Sequence, residues 1–210
     1  MRIVYEDGAV IVVVKPAGTL SQAGKGPSLL PALSAHTGAP VYPVHRLDLE
    51  TSGLMVYAKT KAAAAQLCAA IAAGGLEKTY LCICHGAPPD GGEWTDLLFH
   101  DRNRNKTYVV TRMRAGVKEA RLAFTVLGRK EAKSGEVSLC RVRLFTGRTH
   151  QIRVQFASRS YPLVGDRKYG AKDGEKTLFL HASELSFPHP ETNVRMTFTD
   201  LPAWAEEKAE

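Results

Sequence analysis

The sequence lacks any apolar run long enough to cross a lipid bilayer, which takes about 20 residues. Its first apolar run, residues 9–14, is also too short for the core of a signal peptide that is followed by a cleavage site. These absences argue against a membrane-embedded or secreted protein. We therefore expect a cytoplasmic protein with no membrane partner.

Cysteine is scarce as well, with four residues in a chain of 210. Cys82 and Cys84 are close in sequence, but they do not have the two-residue gap that is typical of zinc ribbons. The sequence therefore predicts no metal site, and the thiols are expected to be reduced and buried.

Acidic residues are fewer than basic ones, and 21 of the former against 28 of the latter give a net charge of +7. The basic residues cluster: residues 102–121 hold seven of them and residues 141–168 hold seven more, each segment with a single acid. Clustered basic charge favours a nucleic-acid-binding surface over charge that only keeps the protein in solution.

Length and composition fit one globular domain. A chain of 210 residues with 44% hydrophobic residues can bury a sizeable core, and it shows no repeat and no linker. We expect residues 1–210 to form a single domain. The residue pattern predicts a buried strand over 9–14, a helix over 61–73 that Thr60 caps, strands over 121–127 and 137–145, and a short helix over 203–208.

A polar loop lies between apolar stretches at residues 45–53, which read HRLDLETSG. Arg46 and Asp48, followed by Thr-Ser-Gly, are unfavourable in a core strand but suit a loop that presents one carboxylate at the edge of a sheet. An isolated aspartate in a loop is most often part of a solvated turn with a salt bridge. This segment alone leaves both interpretations open.

Two further segments carry polar residues in a defined pattern. Residues 77–86 alternate as a strand does, which places Tyr80 on one face, either in a site or simply at the edge of the core. Residues 147–154 read GRTHQIRV and predict a helix with Thr149 and Arg153 on the same face.

One predicted strand has a basic face. Arg141 and Arg143 alternate with Val142 and Leu144, so the two arginines point to one side and the two apolar residues to the other. Such a face suits a phosphate backbone, and plain exposure to solvent is the alternative.

These segments together resemble the motifs of the RluA-type pseudouridine synthases, a family that isomerises uridine in ribosomal and transfer RNA. HRLDxxTSG at residues 45–53 matches the catalytic motif completely, Lys-x-Tyr at 78–80 resembles the second motif, and GRTHQIRV at 147–154 the third. Similar residues recur in the family's order at 15–18, 162–170 and 180–182. The chain departs from the family after Val154, where Gln155 and Phe156 replace the usual histidine and methionine.

The resemblance implies an α+β fold with a bent, mixed, mostly antiparallel sheet, flanking helices and an active-site cleft across the sheet. We find no sign of the separate N-terminal basic module that many relatives carry for RNA binding, so we expect a single catalytic domain. The resemblance also implies an isomerase that acts on ribosomal or transfer RNA. No obligate protein partner is evident in the sequence, so we expect a monomer. The reaction exchanges no electrons and transfers no group, so no cofactor is expected.

The resemblance also assigns the site residues. Asp48 is implied to be the catalytic carboxylate, Arg153 to pair with it, and Tyr80 to lie beside the target uracil. Arg46 would fill the space that the base leaves, and Leu180 would pack beside the nucleotide. The remaining residues assigned to RNA binding lie in the same motifs and are His45, Arg148, His150 and Gln151.

Two other classes of function compete with this interpretation. A catalytically idle RNA-binding or ribosome-assembly factor could use the same scaffold, although a retired enzyme tends to lose at least one of Asp48, Tyr80 and Arg153, and all three are present. An enzyme that acts on free nucleotides would have little use for so large a basic surface.

Overall fold

A computed structural model describes residues 1–206 of the chain. These residues form eleven β-strands, four α-helices and one short 3-10 helix. They divide into two compact units, of which the first holds residues 1–78 with the described residues from 181 onward, and the second holds residues 79–180. Each unit is therefore described by itself, and the single domain expected for the whole chain stays a prediction.

The first unit is a mixed sheet with three helices. Its strands lie in the order β1, β2, β4, β10, β11, with β3 paired to β4. All of these pairs are antiparallel except the parallel pair of β4 and β10. The elements are β1 (Arg2–Glu6), β2 (Val10–Lys15), α1 (Leu29–Thr37), β3 (Tyr42–Pro43), β4 (Ser52–Ala58), α2 (Lys61–Ala72), β10 (Leu180–Pro188), β11 (Arg195–Thr199) and α4 (Ala203–Glu206).

Branched and apolar residues explain why the centre of this unit is a sheet. The predicted strand at 9–14 corresponds to β2, whose Val10 and Val12 face Ala58 and Val56 of β4 across the ladder. Helix α2 begins where the sequence predicted, because the Thr60 side chain accepts a hydrogen bond from the Ala63 amide at 3.1 Å. Its inner face packs on a core that includes Val10, Val12, Leu54, Val56, Leu67, Leu185 and Phe187.

The second unit is built on a sheet in the order β5, β9, β8, β6, β7. The ladders from β9 to β7 are antiparallel, and the strands predicted at 121–127 and 137–145 belong to β8 and β9. The elements are β5 (Glu77–His85), β6 (Gly91–Asp101), β7 (Lys106–Val110), β8 (Val117–Ala132), β9 (Gly135–Leu144), α3 (Gln151–Ala157) and a 3-10 helix (Arg167–Tyr169).

The two residues that depart from the family pattern pack helix α3 onto this sheet. Phe156 is fully buried, and its ring lies 4.8 Å from that of Trp94 and 5.6 Å from that of Phe124, centroid to centroid. The Gln155 amide donates to Asp96 Oδ2 at 2.7 Å. Both substitutions are thus accommodated as contacts between the helix and strand β6 or β8.

The observed strands and helices confirm the α+β class with mixed, mostly antiparallel pairing, while the cleft stays a prediction. Helix α4 coincides with the start of the helix predicted at 203–208, and residues 207–208 lie outside the described residues. The expectation of buried thiols is confirmed for Cys82, Cys84 and Cys140 but is wrong for Cys68, which lies on the outer face of α2 and is exposed. Within residues 1–206, no helix has both the length and the apolar character needed to span a membrane.

A glycine substitution tests the junction between β4 and β10. Gly53 has φ +116°, and a Cβ there would lie 2.4 Å from the backbone nitrogen and oxygen of Ala182. We expect Gly53→Ala to lower the free energy of unfolding by about 3 kcal/mol or more, because backbone strain adds to a clash that only a shift of strand β10 relieves. Urea denaturation measures it.

Gly38→Ala is the matched control. Gly38 also has a positive φ, +70°, but no atom lies within 4 Å of the position that a Cβ would take there. We expect Gly38→Ala to lower the free energy of unfolding by only about 1 kcal/mol, the cost of a left-handed conformation for a residue with a Cβ. Equal losses for the two variants would contradict the role assigned to the close approach of Ala182.

Candidate active site

The backbone around Asp48 is held by hydrogen bonds on both sides of the residue. On one side, the Ser21 hydroxyl donates to the Leu47 carbonyl at 3.1 Å, and the Tyr57 hydroxyl donates to the Ser21 carbonyl at 2.7 Å. On the other side, the Thr51 amide donates to the Asp48 carbonyl at 3.2 Å and closes a turn. The loop predicted from the sequence therefore exists, and it presents a half-buried Asp48 just before strand β4.

Lys15 stabilises the same loop through hydrogen bonds of its ammonium group. It has no exposed surface, and it lies at the end of β2 opposite Gly53 of β4. Burial lowers the pKa of Lys15 to about 8, while the charges of Asp48 and Glu50 act in the opposite direction. Its ammonium group donates to the carbonyl oxygens of Pro16 at 3.0 Å, Thr19 at 2.7 Å and Leu49 at 3.1 Å.

Lys78 is a second lysine that interacts with Asp48. Burial lowers the pKa of Lys78, and the Asp48 carboxylate raises it in part. Lys78 precedes Tyr80 by two positions in strand β5 and therefore shares its face of the strand. Sequence reasoning did not assign Lys15 or Lys78 to the site, although a lysine at the end of a buried strand and the lysine of Lys-x-Tyr were the available signals.

These lysines matter for the charge of Asp48. A carboxylate taken out of water tends to take up a proton, and a nearby cation favours its ionised form. With Lys15 and Lys78 both in electrostatic contact, Asp48 lies in a positive field from residues of the first unit, which includes Lys78 at the start of β5. Such a carboxylate can act as a nucleophile or a base.

His45 lies beside this loop with its imidazole turned inward. Its Nε2 accepts a hydrogen bond from the Val56 amide at 3.1 Å, so the ring is neutral and carries its proton on Nδ1. Nδ1 is buried and has no hydrogen-bond partner among the described residues. Burial, with a smaller contribution from Lys78, lowers the pKa of His45 to about 3. Arg46, the next residue, is exposed.

A chain of polar groups holds the end of the loop at Ser52. The Ser52 hydroxyl and His181 Nδ1 are 2.8 Å apart, and His181 Nε2 lies 2.9 Å from Asp200 Oδ2. Arg2 of strand β1 pairs with the same carboxylate. Burial lowers the pKa of His181, while Asp200 opposes that shift. This chain ties Ser52 to strands β10 and β1 and so fixes where strand β4 begins.

In the second unit, helix α3 carries Arg153 in a buried ion pair. Arg153 Nε donates to Asp166 Oδ2 at 2.7 Å, and Nη2 donates to Asp166 Oδ1 at 2.8 Å. The side chains are only 3% and 0% exposed, so this bidentate pair is shielded from solvent and fixes the plane of the guanidinium. The Tyr169 ring lies 5.3 Å from the guanidinium carbon. Asp166 was not singled out from the sequence, although it follows Gly165 in a loop that resembles the family.

Most of the remaining predicted residues of this unit bond to the protein itself. His150 is buried, and its Nδ1 lies 2.9 Å from the Tyr169 hydroxyl. The Gln151 oxygen accepts from the Arg148 amide at 3.0 Å, and its nitrogen donates to the Arg121 carbonyl at 3.1 Å, so the side chain links the turn before α3 to strand β8. Arg148 Nε donates to the Glu119 carbonyl at 2.8 Å.

Tyr80 and Leu180 are both buried, at 5% and 4% exposure. Tyr80 belongs to strand β5 and Leu180 opens strand β10. The contacts with RNA that the sequence predicted for these residues and for His45, Arg46, Arg148, His150 and Gln151 stay predictions.

Comparisons with known proteins agree on one family. The model of a family described as RNA pseudouridylate synthase matches residues 9–158. An uncharacterized RNA pseudouridine synthase of Mycoplasma pneumoniae is 35% identical over 94% of this chain and 65% of its own length. The ribosomal large subunit pseudouridine synthase D of Neisseria meningitidis is 39% identical over 94% of this chain and 57% of its own length. That of Pseudomonas aeruginosa is 37% identical over 93% of this chain and 66% of its own length.

The fold is also found among solved structures. The human RNA Pseudouridylate Synthase Domain Containing 1 superposes with a TM-score of 0.82 at 24% identity, over 95% of this chain and 83% of that one. At that identity the likeness concerns the fold alone. The chain spans between 57% and 66% of the length of the three curated relatives above.

The buried imidazole of His45 predicts a specific loss of stability in acid. Because its folded pKa of about 3 lies below the ordinary value, the unfolded chain takes up the proton first, and stability falls as the pH drops below about 6.5. In His45→Gln, the amide oxygen can take the place of Nε2 and still accept from the Val56 amide, but it does not titrate. We expect wild type to lose up to about 1.4 kcal/mol per pH unit relative to this variant between pH 6.5 and 5.

Denaturation with urea at several pH values measures this difference. Above about pH 7.5 both side chains are neutral, so the difference between the two proteins should be constant there, which serves as the internal control. If the two curves of unfolding free energy against pH remain parallel down to pH 5, folding does not lower the pKa of His45 and the prediction is wrong.

Proposed function

This chain belongs to the RNA pseudouridylate synthase family, and we propose that it converts a uridine of ribosomal or transfer RNA to pseudouridine with Asp48 as the catalytic carboxylate. The observation that carries the assignment is the pinned loop around Asp48, with Lys15 and Lys78 in electrostatic contact with its carboxylate. The family supplies the reaction class.

The proposed reaction breaks the bond between uracil N1 and the ribose, turns the base, and rejoins it through carbon 5. The hydrogen that leaves carbon 5 is balanced by the one that N1 gains, so atoms and electrons balance without a second substrate. Asp48 would act either as a nucleophile on the anomeric carbon or as a base towards the 2′ carbon. Both routes require an ionised carboxylate.

Arg153 supports that ionisation in this proposal. The resemblance implies that its guanidinium pairs with Asp48, and a permanently charged group would offset the desolvation of the carboxylate when RNA covers it. The bidentate bond to Asp166 supports the idea because it holds the guanidinium in one orientation. Positioning of this kind lowers the cost of assembling the charged pair.

Tyr80 and Arg46 are proposed to handle the base. A target uridine must leave its stack, which costs a few kcal/mol. Tyr80 would stack on the extruded uracil and assist the removal of the proton from carbon 5, with Leu180 beside the nucleotide. Arg46, which is exposed next to Asp48, would occupy the space that the base vacates.

Ribosomal RNA is favoured over transfer RNA as the substrate. Two of the relatives above are named as synthases of the large ribosomal subunit. Either RNA would place the working enzyme in the cytoplasm, and we propose that the protein acts there as a monomer.

Replacing Asp48 tests the proposed chemistry. Asp48→Asn keeps the shape of the side chain but removes its charge, so pseudouridine formation should fall by about 10⁴-fold or more. The measurement maps pseudouridine across all RNA of a strain that lacks the gene, with wild type or variant supplied from a plasmid. Wild type should restore a specific site and Asp48→Asn should not.

Glu50→Gln is the matched control for this experiment, since it removes a carboxylate from the same loop that also acts on Lys15. It should restore the site. Restored modification by Asp48→Asn would refute the assignment. If Asp48→Asn instead corrects a growth or assembly defect without modification, the chain works as an RNA-binding factor.

Replacing Arg153 tests how Asp48 is kept ionised. Arg153→Lys retains a charge but loses the bidentate fork, so we expect kcat to fall by about 10-fold or more with a smaller change in KM. Because a weaker cation raises the pKa of a neighbouring carboxylate, the acidic limb of the pH–rate profile should move to higher pH.

Arg159→Lys controls for the loss of a bidentate arginine–aspartate pair, here one that is partly exposed. Arg159 also donates two hydrogen bonds to an aspartate, from Nη1 to Asp96 Oδ2 at 2.8 Å and from Nη2 to Asp96 Oδ1 at 3.1 Å. That variant should change thermal stability without moving the acidic limb. An acidic limb that stays in place in a folded Arg153→Lys protein would count against the pairing with Asp48.

A further inference from the structure

An exposed aromatic ring lies among arginines on the second unit, and none of these residues is assigned to the chemistry. We propose that this surface binds a single-stranded stretch of the RNA substrate by stacking a base against Phe145 and its neighbouring guanidinium groups. We call it the Phe145 platform, and it consists of Phe145, Arg121, Arg141 and Arg143. The proposal rests on the proposed function, because it takes RNA as the substrate.

The alternation of strands β8 and β9 places these side chains on one face. Arg143 pairs with Ala123 and Arg141 with Thr125 across the ladder, and the Phe145 amide donates to the Arg121 carbonyl at 3.1 Å. Residues directly opposite each other project to the same side of a sheet. The other side of the two strands is buried and holds Leu122, Phe124, Cys140 and Val142.

The Phe145 ring is open to solvent yet held in place. It is 41% exposed, which is unusual for a large aromatic residue on a sheet. The guanidinium carbon of Arg121 lies 4.4 Å from the ring centroid and that of Arg143 lies 5.5 Å from it. Glu93 of strand β6 fixes Arg121 further, with its Oε2 at 3.0 Å from Nη2. The result is a preorganised stack of flat groups.

The chemistry of this surface fits a nucleotide. Bases stack on aromatic rings and on the planes of guanidinium groups, and phosphates bind arginine. Arg141 and Arg143 follow the strand at intervals of two residues from Phe145, so a chain that runs along β9 would meet two cations and then a ring. A single ring is too small to form the apolar centre of a protein interface. The positive charge of the surrounding arginines favours a polyanion.

The partner is inferred to be single-stranded because a base within a duplex is already stacked on both sides and cannot lie on the platform. Stacking also tolerates any base, since every base has a π-face. The platform would therefore hold a flexible segment of the substrate without reading its sequence.

Binding of labelled oligonucleotides tests the platform. We expect Phe145→Ala to raise the Kd for a uridine-rich single strand by about 5- to 100-fold. The Kd for a duplex of matched length should change by no more than about twofold. Phe145→Leu should raise the Kd for the single strand similarly, because leucine keeps apolar volume but lacks the π-face. Phe145→Tyr should bind like wild type. Fluorescence anisotropy measures each Kd, and thermal unfolding verifies that each variant is folded.

Salt dependence separates stacking from charge. Arg141→Gln should reduce the slope of log Kd against log salt by about 0.7, the value for one phosphate of a single strand, whereas Phe145→Ala should leave the slope unchanged. Val194→Ala is the control, since it removes an exposed apolar side chain (63% exposed) from the other unit, and it should not alter binding.

The platform is refuted if Phe145→Leu binds as tightly as wild type, or if Phe145→Ala loses duplex and single-strand affinity equally. Because binding is measured without catalytic turnover, the platform and the proposed function are tested independently. A protein that forms no pseudouridine but depends on Phe145 for binding refutes only the function. A protein that forms pseudouridine while its Phe145→Ala variant binds normally refutes only the platform.

Discussion

The backbone that displays Asp48 depends on one buried ammonium group. Lys15 has no exposed surface, and its Nζ donates to three backbone carbonyls, of which that of Leu49 belongs to the Asp48 loop. An unpaired charge in that position would cost several kcal/mol, whereas a hydrogen bond to a charged group contributes roughly 1.5–3 kcal/mol. Three such bonds, with the Asp48 carboxylate nearby, keep the ammonium inside. The dependence is mutual, since Lys15 orders the loop and the loop keeps Lys15 charged.

Lysine and arginine serve the two units in different ways. Lys15 and Lys78 are point charges whose pKa values fall on burial, and the Asp48 carboxylate opposes that fall and favours their charged form. Arg153 keeps its charge in any surroundings, and Asp166 fixes its plane through two hydrogen bonds. A lysine can adjust to a loop, whereas a fixed guanidinium can impose an orientation on an anion.

The sequence predicted the class of fold and the loop at Asp48 because both depend on local patterns. Alternation and branched residues specify β2, β4, β8 and β9, and a motif of seven matched residues identifies the loop. Lys15 could not be predicted as a buried brace, since lysine is almost always exposed and only tertiary contacts reveal three carbonyls around it. For the same reason, nothing local shows that the Gln151 amide links the turn before α3 to strand β8 or that His45 turns inward.

Selection of the RNA is best assigned to the surface rather than to the groups around Asp48. Every uridine presents the same base and ribose, so a carboxylate and its cations can set the rate but cannot choose among sites. Contacts between arginines and phosphates are also independent of sequence. What remains is shape: which segments are single-stranded and can reach a stacking surface while a uridine leaves its stack. The proposed Phe145 platform, an exposed ring with arginines on β8 and β9, would distinguish RNA by that property.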